Sequence, residues 1–406
     1  MSKTAMPSIR FRGFDDAWEQ RKLTEFAEFF SGLTYTPNDV QKNGTLVLRS
    51  SNVSNGEVVD ADNVYVNPQV VNSENVKVGD IVVVVRNGSR SLIGKHAQIK
   101  AFMPNTVIGA FMTGIRSECP EFTNALLNTS RFEEEIAMNM GATINQITGY
   151  MFSKMEFKVP CLEEQKKIGE YFEKIDNLIA LHQRKFEKLT NVKKSMLEKM
   201  FPRNGSCYPE IRFKGFTDPW EQRKLGDVVK EITRNDPESE ASIMMITANN
   251  GFIEQSERYA FNNAGESLKK YILLKKGELA YNHGASKLRP YGSCFALTTA
   301  ENARIPFVYH CFSAENQNAE FMSIELNGAE IENQLRKIVS SGARMDGLLN
   351  ISFDEYTSVS VLLPGTGEQD RIADFFRHLD NLITLHQREL EKLQNIKKSL
   401  LEKMFV

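Results

Sequence analysis

The chain has 406 residues, which predicts more than one domain, because single domains average roughly 150 residues. Hydrophobic residues make up 41% of the chain and charged residues 25%, an ordinary globular composition. The net charge of −2 excludes nucleic-acid binding through overall positive charge. Five cysteines without a CxxC pair, a polar opening segment and the lack of long apolar runs predict a cytoplasmic protein.

Two pairs of repeated segments organise the chain. Segments 7–23 and 209–225 are identical at 13 of 17 positions, including the hexapeptide WEQRKL with the only two tryptophans, Trp18 and Trp220. Segments 164–201 and 368–405 are identical at 24 of 38 positions. The offsets of 202 and 204 nearly agree, so two half-proteins lie in tandem. We call the repeated segments the frame.

The stretches between the frame segments, 24–162 and 226–367, show no comparable identity. A copied frame suggests two equivalent docking surfaces, and divergent fillings suggest two modules that do one kind of task on different targets. The alternative is a recent duplication whose surface loops drifted.

The first module alternates β-rich runs with polar turns. TLVLRSSNVSNGEVV (45–59) predicts strand, turn and strand, and VGDIVVVVRNGSRSLIGKHAQI (78–99) predicts a strand that ends in a basic turn. Late in the module, GATINQITGYMF (141–152) places a glycine and polar residues before a final strand.

The first long frame segment predicts a helix. From Gln165 to Met200 it holds Gly169 as its one glycine and no proline, and apolar residues recur at heptad spacing. At 1.5 Å per residue the helix would be roughly 55 Å long. The central seam positions are Ile175, Ile179, His182, Phe186 and Leu189.

The second module and second long segment repeat this order. IMMITANNGFIE (243–254), KGELAYNHGASKLRPYGSCFAL (276–297) and GARMDGLLNISF (342–353) parallel the first module. The matching seam positions are Leu379, Ile383, His386, Leu390 and Leu393. Since neither helix can bury its stripe on a compact module, we expect the two to form an antiparallel coiled coil. The seam histidines are expected to set its register, and the KKS runs at 193–195 and 397–399 either touch phosphates or form a solvated face.

Sequence motifs for catalysis are weak. GSRSLIGKH (88–96) departs from a phosphate-binding loop in its glycine spacing, and His96 stands where a Ser or Thr would hold magnesium. HExxH, GxSxG and zinc-type cysteine spacings are absent from the sequence, as is an NPPY-like tetrapeptide. We predict a chain without catalytic residues, metal site or cofactor of its own.

Polar and basic residues on the module turns are the types that contact base edges and phosphates, although such residues populate any surface turn. Residues 24–162 carry 11 Lys and Arg against 14 Asp and Glu, which argues against strong non-specific DNA binding by the chain unaided. The DNA-contact candidates are Arg49, Asn52, Arg86, Asn87, Ser89, Arg90, Lys95, Thr143, Asn145, Gln146, Asn249, Asn250, Asn282, His283, Ser286, Lys287, Arg289, Arg344 and Asn350.

The order of WEQRKL, variable module, IDNLIALHQRK and KKSMLEKMF, followed by the same again, resembles the specificity subunits of type I restriction–modification enzymes. The resemblance covers essentially the whole chain. It implies a non-catalytic subunit whose two target-recognition domains each read one half of a bipartite asymmetric DNA site. It also implies that the helices set the spacer, that the frame docks two methyltransferase subunits, and that restriction subunits join through that complex. S-adenosylmethionine, ATP and Mg would then be bound by the partner subunits.

The expected fold is α+β, with two mixed α/β target-recognition domains in tandem, joined by two long helices in an antiparallel coiled coil with pseudo-two-fold symmetry. The expected boundaries are 1–162 and 204–367 for the recognition domains and 163–203 and 368–406 for the helices. A stand-alone DNA-binding regulator, a coiled-coil scaffold with protein-binding modules, and a fused nuclease are the competing functions.

Overall fold

The computed structural model describes residues 6–140, 145–248, 251–257, 265–339 and 348–405. The chain divides into two compact units. The first unit comprises residues 1–185 and 386–406, and the second comprises residues 186–385. Each unit therefore holds one module together with segments of both long helices. This grouping differs from the four consecutive segments expected from the sequence, because each long helix contributes residues to both units.

The first unit carries the frame segment 7–23, one module with three short helices, and parts of both long frame segments. Its strands are β1 (Glu19–Lys22), β2 (Ala27–Ser31), β3 (Val40–Gln41), β4 (Thr45–Leu48), β5 (Val53–Ser54), β6 (Glu57–Val58), β7 (Val64–Val66), β8 (Ile81–Val84), β9 (His96–Gln98), β10 (Thr106–Ile108), β11 (Met112–Ser117) and β12 (Glu156–Val159). Its helices within the module are α1 (Pro120–Leu127), α2 (Ser130–Asn139) and α3 (Gly149–Phe152).

Two four-stranded sheets form the first module, in the orders β10-β4-β7-β3 and β2-β11-β8-β9. Strand β8 consists of four β-branched residues that are all buried, as expected for a strand covered on both faces. The frame strand β1 pairs antiparallel with β12, the last strand of the module. The frame thus closes the module by joining its beginning to its end.

The second unit repeats the main sheet and the frame pairing of the first unit, while its remaining strands form two-stranded sheets. Its strands are β13 (Glu221–Lys224), β14 (Val229–Glu231), β15 (Met244–Thr247), β16 (Gly251–Glu254), β17 (Ile272–Lys275), β18 (Leu279–Asn282), β19 (Ser293–Ala296), β20 (Asn302–Ile305), β21 (His310–Ala314) and β22 (Ser360–Leu363). Its module helices are α5 (Ala319–Leu326), α6 (Ala329–Ile338) and α7 (Phe353–Thr357). The sheet β14-β21-β18-β19 matches the sheet β2-β11-β8-β9, and β13 pairs with β22 as β1 pairs with β12.

Each long frame segment forms one continuous helix, α4 (Leu162–Lys199, 38 residues) and α8 (Thr366–Met404, 39 residues). The predicted mixed α+β architecture with two long helices is confirmed. All ten central seam residues are buried or half-buried. No described helix combines the length and apolarity that a bilayer span needs.

Within the first unit, the start of α4 packs on the end of α8. Ile168 and Phe172 share a core with Leu401 and Met404. Further along, Lys397 pairs with Asp176 at 2.7 Å. The Nδ1 atoms of His182 and His386 lie 3.1 Å apart, and burial, followed by the proximity of His182, lowers the pKa of His386. Along this series of contacts the residue numbers rise in α4 and fall in α8, so the two helix segments run antiparallel.

The second unit contains the reciprocal contacts. Met200, the residue that follows α4, shares a core with Ile372 and Phe376 near the start of α8. Lys193 pairs with Asp380 at 2.5 Å. In the repeat these two residues correspond to Lys397 and Asp176, which form the ion pair of the first unit. The first lysine of each KKS run therefore forms an ion pair between helices. A continuous supercoiled seam stays a prediction.

The frame also locks each unit internally. Arg10 donates from Nε and Nη2 to both carboxylate oxygens of Glu164 at 2.8 Å, and the Glu164 side chain is fully buried. Arg212 and Glu368 form the same bidentate pair at 2.7 Å in the second unit. Identity between the two frame copies is thus partly explained by bonds inside each unit.

A close approach explains the glycine in α4. A Cβ atom on Gly169 would lie 2.7 Å from the backbone nitrogen of Phe122 at the start of α1. The repeat places Ala373 at the matching position of α8.

We expect Gly169→Ala to destabilise the chain by about 1–3 kcal/mol through overpacking, although alanine is about 1 kcal/mol better than glycine within a helix. Ala373→Gly, the matched control, should lose about 1 kcal/mol of helix propensity and about 0.8 kcal/mol for one buried methyl group, because Ala373 lies in the core. Urea unfolding of both variants measures the effect. A more stable Gly169→Ala chain would contradict the close contact.

Candidate nucleic-acid interface

The first unit brings two of the predicted polar loops together. The Ile147 N–H donates to the Val85 carbonyl at 2.8 Å. The backbones of Arg86 and Gln146 form an isolated antiparallel β-bridge. The Asn145 amide donates from Nδ2 to the Gly88 carbonyl at 3.1 Å. The turn after β8 and the loop before α3 are far apart in sequence, yet they form one continuous surface.

Several side chains on this surface face solvent. Arg86, Ser89 and Arg90 are exposed, and Lys95 is half-buried. Asn87 donates to Ser50 Oγ at 3.1 Å and accepts from the Ser89 N–H at 3.0 Å, so it shapes the turn. Ser89 Oγ lies 2.9 Å from Ser91 Oγ. The surface thus combines exposed guanidinium groups with a turn that is held by its own hydrogen bonds.

The loop after β4 holds two candidates that the structure uses internally. Asn52 is fully buried, and its Nδ2 donates to the Ala61 carbonyl at 2.7 Å and to Asn63 Oδ1 at 2.8 Å. The sequence predicts that Asn52 contacts DNA, but in this structure its amide is consumed in shaping the loop. Arg49 donates to the Asp62 carboxylate at 2.6 Å, which partly neutralises its charge.

The second unit joins the corresponding loops in the same way. The Leu349 N–H donates to the His283 carbonyl at 2.9 Å. The backbones of Gly284 and Leu348 form an isolated antiparallel β-bridge. These contacts match Ile147 with Val85 and Gln146 with Arg86. Equivalent loops converge in both units although their sequences differ.

Two candidates of this turn are structural. His283 is buried, and its ring nitrogens lie 2.7 Å from the Leu349 carbonyl and 2.8 Å from the Val308 carbonyl. The sequence predicts that His283 contacts DNA, but in this structure both ring nitrogens contact backbone carbonyl groups. Asn282 donates to the Ile246 carbonyl at 3.0 Å and accepts from the Gly284 N–H at 2.9 Å, so both ends of its amide are occupied.

The rest of the turn is more open. Ser286 and Lys287 are exposed. Arg289 is half-buried and donates from Nη1 to the Asn327 carbonyl at 2.8 Å, and burial lowers the pKa of its guanidinium. Arg289 thus braces the turn against the end of α5. Asn350 is exposed on the neighbouring loop.

Four candidates, Thr143, Asn249, Asn250 and Arg344, lie outside the described residues. Among the residues described, no group of three or more His, Cys, Asp or Glu side chains is arranged to hold a metal ion. Cys119, Cys294 and Cys311 are buried free thiols.

The sequence reasoning passed over one exposed aromatic residue on this surface. Phe111 lies just before β11, is 56% exposed, and has the guanidinium carbon of Arg86 5.0 Å from its ring centroid. A large apolar residue beside a strand of alternating burial is ordinarily assigned to the core, which is why the pattern gave no signal.

The outer face of the long helices carries exposed leucines that the repeat duplicates. Leu178 and Leu181 on α4 are 46% and 42% exposed, and their copies Leu382 and Leu385 on α8 are 43% and 50% exposed. They lie beside the seam and outside the internal cores.

Comparisons with known proteins agree with this arrangement. The model of the type I restriction modification DNA specificity domain matches residues 15–191. The chain is 23% identical to the type I restriction enzyme EcoKI specificity subunit of Escherichia coli K12, over 96% of this chain and 89% of that protein. It is 24% identical to the MjaVIII specificity subunit of Methanocaldococcus jannaschii, over 64% of each chain.

The fold is similar to the crystal structure of a type I restriction–modification S subunit from M. genitalium. The TM-score is 0.64, with 13% identity and 99% of both chains covered.

Proposed function

We propose that this chain, which belongs to the type I restriction–modification specificity subunits, reads a bipartite DNA sequence for a larger enzyme. Each unit would read one half of the site through its converged loops, and the long helices would set the spacer between the halves. The chain is a non-catalytic subunit, so the chemistry lies in its partners. A cytoplasmic location fits this role.

One observation carries the proposal. The same two loops meet in both units, held by the same backbone contacts, while the exposed side chains on them differ. The first unit presents Arg86 and Arg90, and the second presents Ser286 and Lys287. Two modules that recognise different half-sites need the same backbone scaffold with different side chains on it. The scaffold positions the side chains, and their contacts with base edges specify the sequence.

We expect Arg90→Ala to change recognition in the first half-site only, and Lys287→Ala to change it in the second only. Either loss should amount to about 1–3 kcal/mol if the side chain reads a base. The measurement is base-resolution mapping of methylated adenines in cells that carry the chain and its methyltransferase. Each variant serves as the other's control, and equal relaxation of both half-sites by one substitution would refute the modular assignment.

The proposed partners are two methyltransferase subunits, one for each copy of the frame, with restriction subunits joining through them. S-adenosylmethionine, ATP and Mg would bind to those partners. The duplicated exposed leucines support this. Neighbouring exposed apolar side chains mark interaction sites more often than single scattered ones do. The slight excess of acidic residues in residues 24–162 fits a reader that needs partners to hold the duplex.

Replacing Leu178 and Leu181 by glutamate should release one methyltransferase, and replacing Leu382 and Leu385 should release the other. Each variant should give a complex of one chain and one methyltransferase by mass measurement of the co-expressed assembly, because a carboxylate cannot be buried unpaired in an apolar interface. A parent complex that saturates at one methyltransferase would contradict the proposal. Tight site-specific binding by the purified chain alone would favour the stand-alone regulator instead.

A further inference from the structure

The pair of Arg86 and Phe111 differs from the other arginine contacts of the first unit. The Arg86 side chain is exposed, and within the described part of the chain its guanidinium has no carboxylate partner. Arg116 also lies over a ring, that of Phe30, but it donates to Asp80 and Glu74 as well. Arg86 combines an aromatic support with free N–H groups.

The backbone fixes this pair. The N–H groups of Val85 and Arg86 both donate to the Phe111 carbonyl, at 3.0 Å and 3.2 Å. Arg86 is tied on its other side to Gln146 by the bridge between the loops. The ring and the start of the arginine side chain therefore hold a constant relation, and contact with the ring restricts the otherwise flexible guanidinium.

A restricted guanidinium suits one kind of target. Guanine offers O6 and N7 side by side in the major groove, and a planar arginine fork meets both at once. A phosphate can also accept both N–H groups of the fork, but its oxygens point in several directions, so it depends less on such restriction than the fixed edge of a guanine does. The Phe111 ring leaves the N–H edges of Arg86 uncovered and adds an exposed apolar surface beside them.

We infer that Phe111 is a positioning residue that aims Arg86 at a guanine in the half-site read by the first unit. The inference rests on the DNA-reading function proposed above and adds a base and a supporting residue to it. The second unit has Gly284 and Val308 at the matching positions, so the device belongs to the first unit alone.

The test uses the complete complex with its methyltransferase and measures Kd for a set of duplexes with each base pair of the first half-site replaced. Arg86→Ala should lower the preference for guanine at one position by about 5- to 150-fold. Phe111→Ala should lower the preference at that same position by about two- to fivefold. Phe111→Tyr keeps an aromatic face and should retain the preference.

Three comparisons separate positioning from other roles. The double variant Arg86→Ala/Phe111→Ala should show no further loss than Arg86→Ala alone. Phe102→Ala, which removes another exposed ring of the same unit (79% exposed), should leave the preferences unchanged. Recognition of the second half-site should stay constant in every variant, since a structural defect in the chain would weaken binding at all positions.

Other results would overturn the inference. One is a first half-site without a guanine that depends on Arg86. Another is a Phe111→Ala complex with unchanged preferences, or with uniformly weaker binding and a smaller salt dependence, which indicates a phosphate contact. These outcomes leave the proposed function intact, whereas a parent complex that recognises no bipartite site would refute the proposed function itself.

Discussion

Inserting one heptad into each long helix should lengthen the unread spacer of the DNA site by roughly three base pairs. Seven residues add roughly 10 Å of helix, and base pairs stack at about 3.4 Å. Insertion after Leu189 and after Leu393, by duplicating residues 183–189 and 387–393, keeps the apolar period. Both points lie between the ion pairs Asp176–Lys397 and Lys193–Asp380, so these pairs are retained.

Mapping of methylated adenines in cells with the elongated chain gives the new spacer, and both half-site sequences should be unchanged. Three base pairs also turn the duplex by more than a quarter of its helical repeat, so methylation is expected to be slower. The control exchanges residues 183–189 with residues 387–393, which alters sequence without altering length. An active elongated chain that kept the original spacer would show that the helices serve partner docking only.

Removing Arg10 should cost about 3 kcal/mol of folding free energy. Arg10→Met leaves the fully buried carboxylate of Glu164 without its bidentate partner, and breaking a buried ion pair typically costs about 3–5 kcal/mol. The lower end applies because the Arg10 side chain is 11% exposed. Arg212→Met is the matched change in the second unit, where Glu368 is 2% exposed.

Urea unfolding of the full chain measures both losses. The double change Arg10→Met/Glu164→Leu should recover most of the stability, because an apolar pair of similar volume needs no desolvated charge. If Arg10→Met cost less than about 1 kcal/mol, as exposed ion pairs do, the frame would be explained by partner docking alone.

The long helices were predictable because their signal is local. Heptad spacing and the lack of proline between Gln165 and Met200 indicate a helix without knowledge of what it packs on. The predicted antiparallel pairing already brings the end of the second long helix to the first module. The division of the chain at residues 185 and 386 was not predictable in this way, because it depends on contacts between segments from the two halves of the sequence. The ion pair between Arg10 and Glu164 was missed for the same reason. The sequence shows that a charged residue is repeated, but it does not show whether its partner lies in this chain or in another protein.

The candidate interface was predictable in outline only. Turn residues such as Arg86 and Arg90 were placed correctly on an exposed loop, since polar residues after a buried strand reach solvent first. Asn52 and His283 belong to the same residue classes, yet both are buried, Asn52 bonded to a carbonyl group of its own loop and His283 to one that is distant in sequence. Composition cannot separate a polar side chain that builds a loop from one that reads a ligand.

The contact between His182 and His386 has a consequence for how the repeat can change. These residues are copies of each other, so this position of the repeat meets itself, as a residue on the axis of an isologous interface does. A lysine or glutamate inherited in both copies would face a like charge there, whereas two imidazole rings can lie together because an imidazole can be neutral. Asp176 and Lys397 come from different positions of the repeat, so opposite charges can be inherited in both copies without conflict. The frame sequence is therefore constrained to be self-complementary.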